Sequence, residues 1–486
     1  MYVLGIDFGG GASKATLLDE RGQVAATASC EYPTHYGADG AAEQDARDWY
    51  AAACRNIRRI LCGVRAEEIA CVCFDAATHV AVLLDERDEP LRRAVYWTDT
   101  RSAAEAAQLN AQYAEKLRRV CKHEADTIWT LPVLMYLRRT EPELYAKTAR
   151  VTFAKDYVRG RFTGDRVTDY IEAQGSMLFD FDAHVWDEEL LALAGLRAEQ
   201  MPRIVSPLEK VGAVTAQAAR DSGLAQGTAV ICGATDTVME VFAAGGAAAG
   251  AATVKLATAG RICVIAEQCF PDRNIVNYAH LKQGLYYPGS ATKSCAASLR
   301  WFRDAFSGNY ADFDGAAQKI PVGAEGLIFH PYLTGELTPY ADPALRGSFV
   351  GIGAQHTKAH FVRAVLEGVA FSLLDCRRYL EGRGVPVGGQ AVVIGGGAKS
   401  ALWRSILADA LGMTLFTAQH SDSSFGSAMC AGIAAGFFAD FDGALRACRK
   451  LTGVTQPVAE NHARYQKIYA KYRKISAFLT ELAHEK

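Results

Sequence analysis

The segment YVLGIDFGGGASKATLLDERGQVAA, residues 2–26, is the part of the sequence that indicates the fold most clearly. Apolar residues fill Tyr2–Ile6 and Ala15–Leu18, which predicts two strands joined as a hairpin by the glycine-rich turn Asp7–Lys14. Glycines let backbone N–H groups approach phosphate oxygens without interference from a Cβ atom. In that interpretation Asp7 holds a hydrated Mg²⁺ and Lys14 neutralises phosphate. The alternative is a hairpin turn that merely needs positive φ.

A weaker copy of this pattern begins near Ala229. TAVICGATD (228–236) predicts a strand that ends in a polar turn, an Ala-rich helix follows, and TVKLATAGRICVIAE (253–267) predicts a second strand–turn–strand unit. Between the copies, segments with helical spacing alternate with continuous apolar runs, which favours an α/β architecture. We therefore predict two like domains, 1–247 and 248–486, flanking a cleft that presents both turns to one ligand.

Composition and charge narrow the class of protein. Of the 486 residues, 50% are hydrophobic and 22% charged, which is typical of globular chains. The sum of 52 Lys and Arg against 54 Asp and Glu gives a net charge of -2, so we expect neither nucleic acid nor a membrane as partner. The apolar Ala/Gly run at 241–254 is too short to span a bilayer, and no signal-peptide pattern opens the chain.

The thirteen cysteines are scattered and form no CxxC motif. Zinc sites usually need paired ligands at short spacing, so we interpret these residues as reduced thiols and expect a cytoplasmic protein.

A third glycine motif, GGGAKS (Gly395–Ser400), follows the strand-like run AVVI and opens a helical segment. That context suits a nucleotide lying against the N-terminus of a helix. The spacings of the P-loop and of the dinucleotide fingerprint are both absent. The alternative is a tight strand-to-helix turn with no ligand.

Two polar clusters could carry chemistry. Asp236 ends the strand-like run at 228–235, where a carboxylate suits a general base but equally suits the N-cap of the following helix. In YWTDTR (96–101), Trp97, Asp99 and Arg101 suit a polyol, because charged groups bond hydroxyls and an indole packs on carbon. The alternative there is a solvated loop with an ion pair. His79, alone beside a strand, is more often structural than a ligand.

The order of these elements resembles that of the FGGY carbohydrate kinases, in the actin and hexokinase superfamily. GSFVGIGAQHTKAHFVRAVLEGVAF (Gly347–Phe371) is similar to the second family signature. LPVLMYLRRTEPELY (131–145) resembles the first, although Val133 stands where Lys is usual and Tyr136 where Trp is usual. The resemblance covers nearly the whole chain. It implies two ribonuclease-H-like α/β domains and ATP-dependent phosphorylation of a primary hydroxyl of a sugar.

The resemblance also implies residue roles. Asp236 is the catalytic base, and with Asp7 it holds Mg²⁺. The nucleotide phosphates meet the first turn at Gly9, Gly10, Gly11, Ser13 and Lys14, and the second turn at Thr258, Ala259 and Gly260. Adenosine lies against Gly395, Gly396, Gly397, Ala398 and Lys399. The sugar site, mainly in the N-terminal domain, is lined by His79, Trp97, Asp99 and Arg101.

Several positions depart from the family pattern. Gly10 and Gly11 stand where the first turn usually carries hydroxyls, Ala257 and Ala259 replace residues of the second turn, and Leu337 stands where Arg is common. These changes remove side-chain hydrogen-bond donors and leave the backbone donors in place. We therefore expect them to affect the affinity for the nucleotide.

The runs THVAVLLD (78–85) and WTDTRS (97–102) are most similar to the branch that phosphorylates D-xylulose. Gluconate and other ketoses or polyols are alternative substrates, and a non-catalytic relative that binds sugar or nucleotide as a sensor is the alternative of another class. We expect a small-molecule sugar as partner and a homodimer as the assembly.

Overall fold

The computed structural model describes residues 1–485, which form two compact units. The N-terminal unit comprises Met1–Ala247, Tyr278–Leu285 and His420–Arg449. The C-terminal unit comprises Ala248–Asn277, Tyr286–Gln419 and the described residues from Lys450 onward. Each unit is a mixed α/β structure.

The strands of the N-terminal unit are β1 (Tyr2–Phe8), β2 (Ala12–Asp19), β3 (Val24–Glu31), β4 (His35–Tyr36), β5 (Ala42–Gln44), β6 (Ile69–Ala76), β7 (Ala81–Leu84), β8 (Ala94–Val95), β9 (Arg150–Phe153), β10 (Val167–Asp169), β11 (Phe179–Asp180), β12 (Val185–Trp186), β13 (Arg203–Val205), β14 (Lys210–Ala213), β15 (Ala229–Ile231) and β16 (Ala234–Thr235). The strands of the C-terminal unit are β17 (Ala252–Leu256), β18 (Gly260–Val264), β19 (Gly289–Thr292), β20 (Ile328–His330), β21 (Ser348–Val350), β22 (Gln390–Ile394), β23 (Thr414–Ala418) and β24 (Leu451–Thr455).

The first helices belong to the N-terminal unit: α1 (Ala46–Ile60), α2 (Ala103–Val120), α3 (Thr130–Thr140), α4 (Pro142–Tyr145), α5 (Ala154–Thr163), α6 (Tyr170–Gly175), α7 (Glu188–Ala194), α8 (Ala216–Ser222) and α9 (Asp236–Ala243). The C-terminal unit then contributes α10 (Ala296–Phe306), α11 (Tyr310–Ala317), α12 (Lys358–Gly382) and α13 (Ala401–Leu411). The chain returns to the N-terminal unit for α14 (Ser423–Ala434) and α15 (Phe441–Cys448), and α16 (Ala459–His484) completes the C-terminal unit.

The main sheet of the N-terminal unit has seven strands in the order β14-β15-β6-β1-β2-β3, with β16 also paired to β6. β1, β2 and β3 are successive antiparallel neighbours, as the hairpin pattern of residues 2–26 predicts. β1 then pairs in parallel with β6, and β6 in parallel with β15. β14 closes this edge as an antiparallel strand.

The main sheet of the C-terminal unit repeats the same plan in the order β19-β18-β17-β22-β23-β24. Two antiparallel pairings are followed by two parallel ones and a final antiparallel one. The internal repeat predicted from the two glycine hairpins is therefore confirmed. The copies differ at one edge, because β14 precedes its partner along the chain and β24 follows its partner.

Helices pack on these sheets by their apolar faces. α1 buries Trp49, Ile57 and Ile60, as their helical spacing predicts, and the side chain of Asp45 caps its N-terminus by accepting from the amide of Arg47. α14 lies so close to β1 that a Cβ atom on Gly5 would be 2.1 Å from the carbonyl oxygen of Ser424. Glycine at this position is what permits that approach.

The last helix, α16, packs on the core of the C-terminal unit by one face. Tyr465 and Tyr472 are fully buried in the core of the C-terminal unit, and Ile468 and Ile475 pack against that core. Among residues 1–485, no helix is both long enough and apolar enough to cross a membrane.

Candidate active site

Three carboxyl groups lie where strands of the N-terminal sheet end. Asp7 on β1 stands in register opposite Asp75 on β6, and Asp75 stands in register opposite Ala234 on β16. Asp236 follows β16 directly as the first residue of α9. The carboxyl ends of parallel strands meet at one edge of a sheet, and this topology gathers the three acids there.

Burial and mutual repulsion determine the charge of this group. Burial is the main cause that raises the pKa of Asp7 to about 7; a hydrogen bond from Asp75 opposes the shift, and the negative charge of Asp236 adds to it. The pKa of Asp75 lies well above its usual range because the group is buried and because Asp7 is charged. Ser427 on α14 donates to Oδ2 of Asp75 at 2.5 Å. Burial and repulsion among the three acids thus raise the pKa of both Asp7 and Asp75.

Asp236 is the first helical residue of α9, and the N-cap position belongs to Thr235. The structure therefore corrects the N-cap alternative for this residue. The Oδ1 atom of Asp236 accepts from the backbone amide of Thr237 at 2.6 Å and from its hydroxyl at 3.1 Å. These bonds hold a half-buried carboxylate at the end of the strand, which is a suitable place for a general base.

The first glycine turn is held in place through its carbonyl groups. The carbonyl of Gly9 accepts from the hydroxyl of Tyr32 at 2.5 Å, and that of Gly10 accepts from Gln44 at 3.1 Å. The carbonyl of Gly11 accepts from the backbone amide of Tyr32 at 3.1 Å. Neither Gly10 nor Gly11 donates its amide to another residue within 1–485. Those two amides are therefore available to an anion.

Two other residues of the predicted phosphate site have partners of their own. Ser13 is fully buried, and its hydroxyl accepts from Asn56 at 3.1 Å, so its side chain belongs to the core rather than to the turn. Lys14 pairs with Asp422, which caps α14, at 2.7 Å. Burial raises the pKa of Asp422, but the charge of Lys14 and the hydrogen bonds outweigh it and hold that pKa below its usual range.

Asp99 and Arg101 form an ion pair instead of pointing separately at a ligand. The Asp99 carboxylate is 2% exposed and accepts from Arg101 through Nε at 3.0 Å and through an NH2 group at 2.7 Å. It also accepts from the backbone amide of Ala42 at 2.8 Å. Arg101 reaches Glu43 at 2.7 Å as well. Asp99 therefore positions Arg101; the ion pair of the alternative is present, but its carboxylate is buried rather than solvated.

Trp97 is the exposed member of the same loop, with 42% of its surface accessible. Its ring lies 5.9 Å from that of Tyr96 at a tilted angle. An exposed indole of this kind can pack on the carbon face of a sugar.

His79 is buried and has a left-handed backbone with φ 73°. Its Nδ1 atom lies 2.7 Å from the carbonyl oxygen of Gly175, which can only accept, so Nδ1 carries the proton. Nε2 then accepts from the hydroxyl of Tyr278 at 2.8 Å. The backbone amide of His79 donates to Glu172 at 2.9 Å. Both ring nitrogens of His79 thus have hydrogen-bond partners. Tyr278 occupies the Nε2 side, where a sugar hydroxyl would otherwise bind.

The second glycine turn lies between β17 and β18 in the C-terminal unit. Thr258 and Ala259 are exposed at its tip, and the carbonyl of Thr258 accepts from the amide of Cys295 at 2.9 Å. Gly260 is buried, and a Cβ atom there would lie 2.8 Å from Thr292. The tip residues are therefore the ones that can meet a phosphate.

The third glycine motif lies beside the second turn within the same unit. Gly395 has φ 89°, and a Cβ atom there would lie 2.6 Å from the carbonyl oxygen of Leu256. Gly397 packs on Leu256 and Trp403 with equally little room, whereas a Cβ atom on Gly396 would meet nothing within 4 Å. A 3-10 turn over Gly396–Lys399 precedes α13, whose N-cap is Ser400. Gly396 is the member of the motif that faces open space.

The sequence interpretation missed Asp75, Tyr278 and Asp422. The apolar run IACVCF predicts a buried strand, and an acid directly after it was the available signal for Asp75. No local pattern marks Tyr278 or Asp422, because both reach the N-terminal unit from segments far along the chain.

Comparisons with known proteins define the class of the chain. Solved structures of sugar kinases share its fold, which is the two-domain α/β fold of the actin and hexokinase type. The ligand-bound xylulose kinase from Lactobacillus acidophilus superposes with a TM-score of 0.93 at 26% identity, covering 99% of this chain and 98% of that one. The gluconate kinase from Lactobacillus acidophilus gives a TM-score of 0.92 at 25% identity, covering 100% and 98%.

Residues 2–243 match the N-terminal domain, and residues 266–435 the C-terminal domain, of the FGGY family of carbohydrate kinases. The xylulose kinase of Bacillus subtilis (strain 168) is 30% identical over 99% of this chain and 98% of its own length. The chain belongs to the FGGY family and is a sugar kinase that uses ATP. The predicted family, fold class and enzyme class are confirmed, which disfavours the non-catalytic alternative.

Proposed function

We propose that this sugar kinase phosphorylates D-xylulose at its primary hydroxyl to give D-xylulose 5-phosphate. The main observation in favour of D-xylulose over gluconate is the balance of positive and negative side chains around Arg101. Its guanidinium is already paired with Asp99 and Glu43. Burial lowers the pKa of Arg101, but these hydrogen bonds outweigh it and hold the pKa above its usual range.

The neighbouring Arg92 strengthens this argument. Arg92 pairs with Glu43 and with Glu141. Two guanidinium groups therefore stand against three carboxylates, the third being Asp99. Such a site offers no net positive charge to the carboxylate of gluconate, whereas an uncharged ketose needs only hydroxyl partners. This balance favours D-xylulose over gluconate, although the two kinds of relative have nearly the same fold.

In this proposal Asp236 is the general base. It accepts the proton of the primary hydroxyl as that oxygen attacks the terminal phosphorus of ATP, and the bond from that phosphorus to the bridging oxygen of ADP breaks. The hydrogen bonds from Thr237 keep the carboxylate oriented. The turn amides of Gly10 and Gly11 donate to phosphoryl oxygens and stabilise the charge that develops on them.

Asp7 and Asp236 are suited to hold Mg²⁺, which supplies neutralisation of phosphate charge when bound. The Oδ1 atom of Asp7 is buried and accepts no hydrogen bond from an amide, hydroxyl or ammonium group among residues 1–485. Within that range no group of three or more His, Cys, Asp or Glu side chains could hold a metal alone. This is compatible with Mg²⁺, which usually keeps several waters and binds one or two carboxylates together with substrate phosphates.

We assign the sugar mainly to domain 1–247 and ATP mainly to domain 248–486. The first assignment is supported by the exposed indole of Trp97 and by Arg101, both of which belong to the N-terminal unit. The second is supported by the exposed tip of the second turn and by the open space at Gly396. Backbone donors carry the phosphate contacts here, because the turns lack most of the usual hydroxyls.

We also propose a cytoplasmic location and a homodimer. The use of ATP supports the first, as does the absence of a disulfide among the thirteen cysteines, all of which lie within the described residues. Exposed apolar side chains on the C-terminal unit, including Trp301, Phe306 and Ile352, support the second, which light scattering tests.

Sugar binding measured by calorimetry without ATP tests the choice of substrate. The wild-type protein should bind D-xylulose and give no measurable heat with gluconate. Glu43→Gln removes one of the carboxylates facing Arg101 and should increase the affinity for gluconate relative to D-xylulose. Binding of gluconate by the wild type, with no response to D-xylulose, would refute the proposed substrate.

A further inference from the structure

Tyr96 lies beside the first glycine turn, directly after β8. Its backbone amide donates to the carbonyl of Ala42 at 2.8 Å, and its own carbonyl accepts from the amide of Asp99 at 2.8 Å. A Cβ atom on Gly10 would lie 3.1 Å from the phenol oxygen and 3.7 Å from the nearest ring carbons. The phenol oxygen of Tyr96 therefore occupies the space that a side chain at position 10 would enter.

The surroundings of Tyr96 keep its hydroxyl protonated. Burial raises the pKa of Tyr96, and the negative charges of Asp236 and Asp7 raise it further, while a hydrogen bond from Trp97 opposes them slightly. The contact with Gly10 places the phenol oxygen beside the first turn. Its own O–H donates to no other residue within 1–485. A tyrosine hydroxyl usually finds an acceptor, and a ligand that enters the site can supply one.

We propose that the Tyr96 hydroxyl donates a hydrogen bond to the transferring phosphoryl group, in place of the hydroxyls that Gly10 and Gly11 do not carry. This inference rests on the proposed phosphoryl transfer at Asp236. Gly10 and Tyr96 form a complementary pair, because the missing side chain leaves room for the phenol. Tyr96 donates a hydrogen bond only, and no proton leaves it during the reaction.

Tyr96→Phe tests the proposal, since it keeps the ring and removes the oxygen. A hydrogen bond to a charged group that strengthens in the transition state accounts for about 10- to 100-fold in rate. We expect kcat/KM for ATP to fall by that factor, KM for the sugar to change less than about threefold, and the thermal midpoint to stay unchanged. Tyr113→Phe on α2, outside the site, should keep wild-type kinetics.

Moving a hydroxyl back to the turn provides a rescue. Gly10→Ser in the wild type forces its Cβ against the phenol oxygen and should lower activity. In the Tyr96→Phe background the nearest atoms are the ring carbons, so the same serine fits and should recover much of the lost kcat/KM for ATP. Gly11→Ser is the matched control, because its Cβ meets nothing within 4 Å and its effect should be equal in both backgrounds.

Three outcomes would overturn the proposal: wild-type kcat/KM for ATP in Tyr96→Phe, a rise of more than about threefold in KM for the sugar, or additive effects of Gly10→Ser and Tyr96→Phe. If the wild-type protein phosphorylates no sugar, the proposed function is refuted, and the role of Tyr96 is tested independently of turnover. The same variants are then compared by calorimetric binding of a non-hydrolysable ATP analogue with Mg²⁺. Weaker binding by Tyr96→Phe, recovered by Gly10→Ser, would still support the donor role, and unchanged binding would overturn it.

Discussion

Asp7 and Asp75 stand opposite each other on the parallel strands β1 and β6, and burial together with repulsion from neighbouring carboxylates raises the pKa of both carboxyl groups. The Oδ1 atom of Asp7 has no hydrogen-bond partner among residues 1–485, so Asp7 remains suited to hold Mg²⁺. Asp236, at the start of α9, is the neighbouring carboxyl that we assign as general base. The three acids thus have separate roles although they lie at one edge of one sheet.

Asp236→Asn should abolish most of the phosphoryl transfer. Removing a general base typically costs about 10²–10⁴-fold in rate, and the isosteric amide should leave the fold and KM for the sugar nearly unchanged. Steady-state kinetics with a coupled ADP assay measure the effect. A variant that keeps more than about half of the wild-type kcat would show that the base lies elsewhere.

Gly396→Val should raise KM for ATP by about tenfold or more with little change in KM for the sugar. Its side chain would project into open space where adenosine should meet backbone, so the protein should remain folded. Gly397→Ala is the structural control, because its Cβ would lie 2.9 Å from both Leu256 and Trp403. We expect that control to lower the thermal midpoint. Equal changes in both Michaelis constants for Gly396→Val would contradict the adenosine assignment.

Asp99→Asn should weaken the buried ion pair that positions Arg101. Removing one partner of such a pair costs about 1–3 kcal/mol when the replacement keeps some hydrogen bonds, and KM for D-xylulose should rise because Arg101 is less well held. Urea unfolding and steady-state kinetics measure the two effects. Asp182→Asn provides a matched exposed pair with Lys122 and should change stability by less than about 0.5 kcal/mol. Unchanged stability in Asp99→Asn would show that this ion pair is dispensable.

His280 should make the protein less stable in mild acid. Its Nε2 atom donates to the carbonyl of Gly246 at 2.7 Å and its Nδ1 accepts from the amide of Lys282 at 3.0 Å, so the neutral ring fits both partners. Burial lowers the pKa of His280 to about 4, the bond to Gly246 opposes this, and the charge of Lys282 adds to it. The unfolded chain binds this proton near pH 6.5 and the folded chain only near pH 4, so stability is lost as pH falls between those values.

The size of that loss is measurable by unfolding at two pH values. Between pH 7.5 and pH 5 the wild type should lose about 2 kcal/mol through this group. His280→Gln carries no titrating ring and should lose correspondingly less over the same range. Equal losses in the wild type and in the variant would show that His280 does not control the acid sensitivity.

Local patterns predicted the repeated hairpins well, because alternating apolar runs around glycine turns leave few other structures. The apolar runs at 80–85 and 94–97 are also typical of strands, but they do not indicate which strands pair with them. β7 pairs with β9, and β8 with β5, so both lie outside the main sheet. Pairing of this kind depends on contacts between distant segments, which periodicity does not encode.

The candidate site was predictable where a polar residue ends a strand and not where a side chain meets a distant segment. Asp7 and Asp236 follow from their positions after apolar runs. Ser13 lies in the same glycine turn motif, yet its hydroxyl meets Asn56 from α1 in the core. Asp99 and Arg101 lie two residues apart, which on a strand would put them on one face, but a turn pairs them with each other.

The most direct test of the central claim is ATP turnover by the wild-type protein, compared for D-xylulose and gluconate under identical conditions, with the phosphorylated position of the product determined by NMR. We expect kcat/KM to be at least about tenfold higher for D-xylulose than for gluconate, and the phosphate to be attached to the primary hydroxyl at carbon 5. A higher kcat/KM for gluconate, or turnover of neither compound, would contradict it.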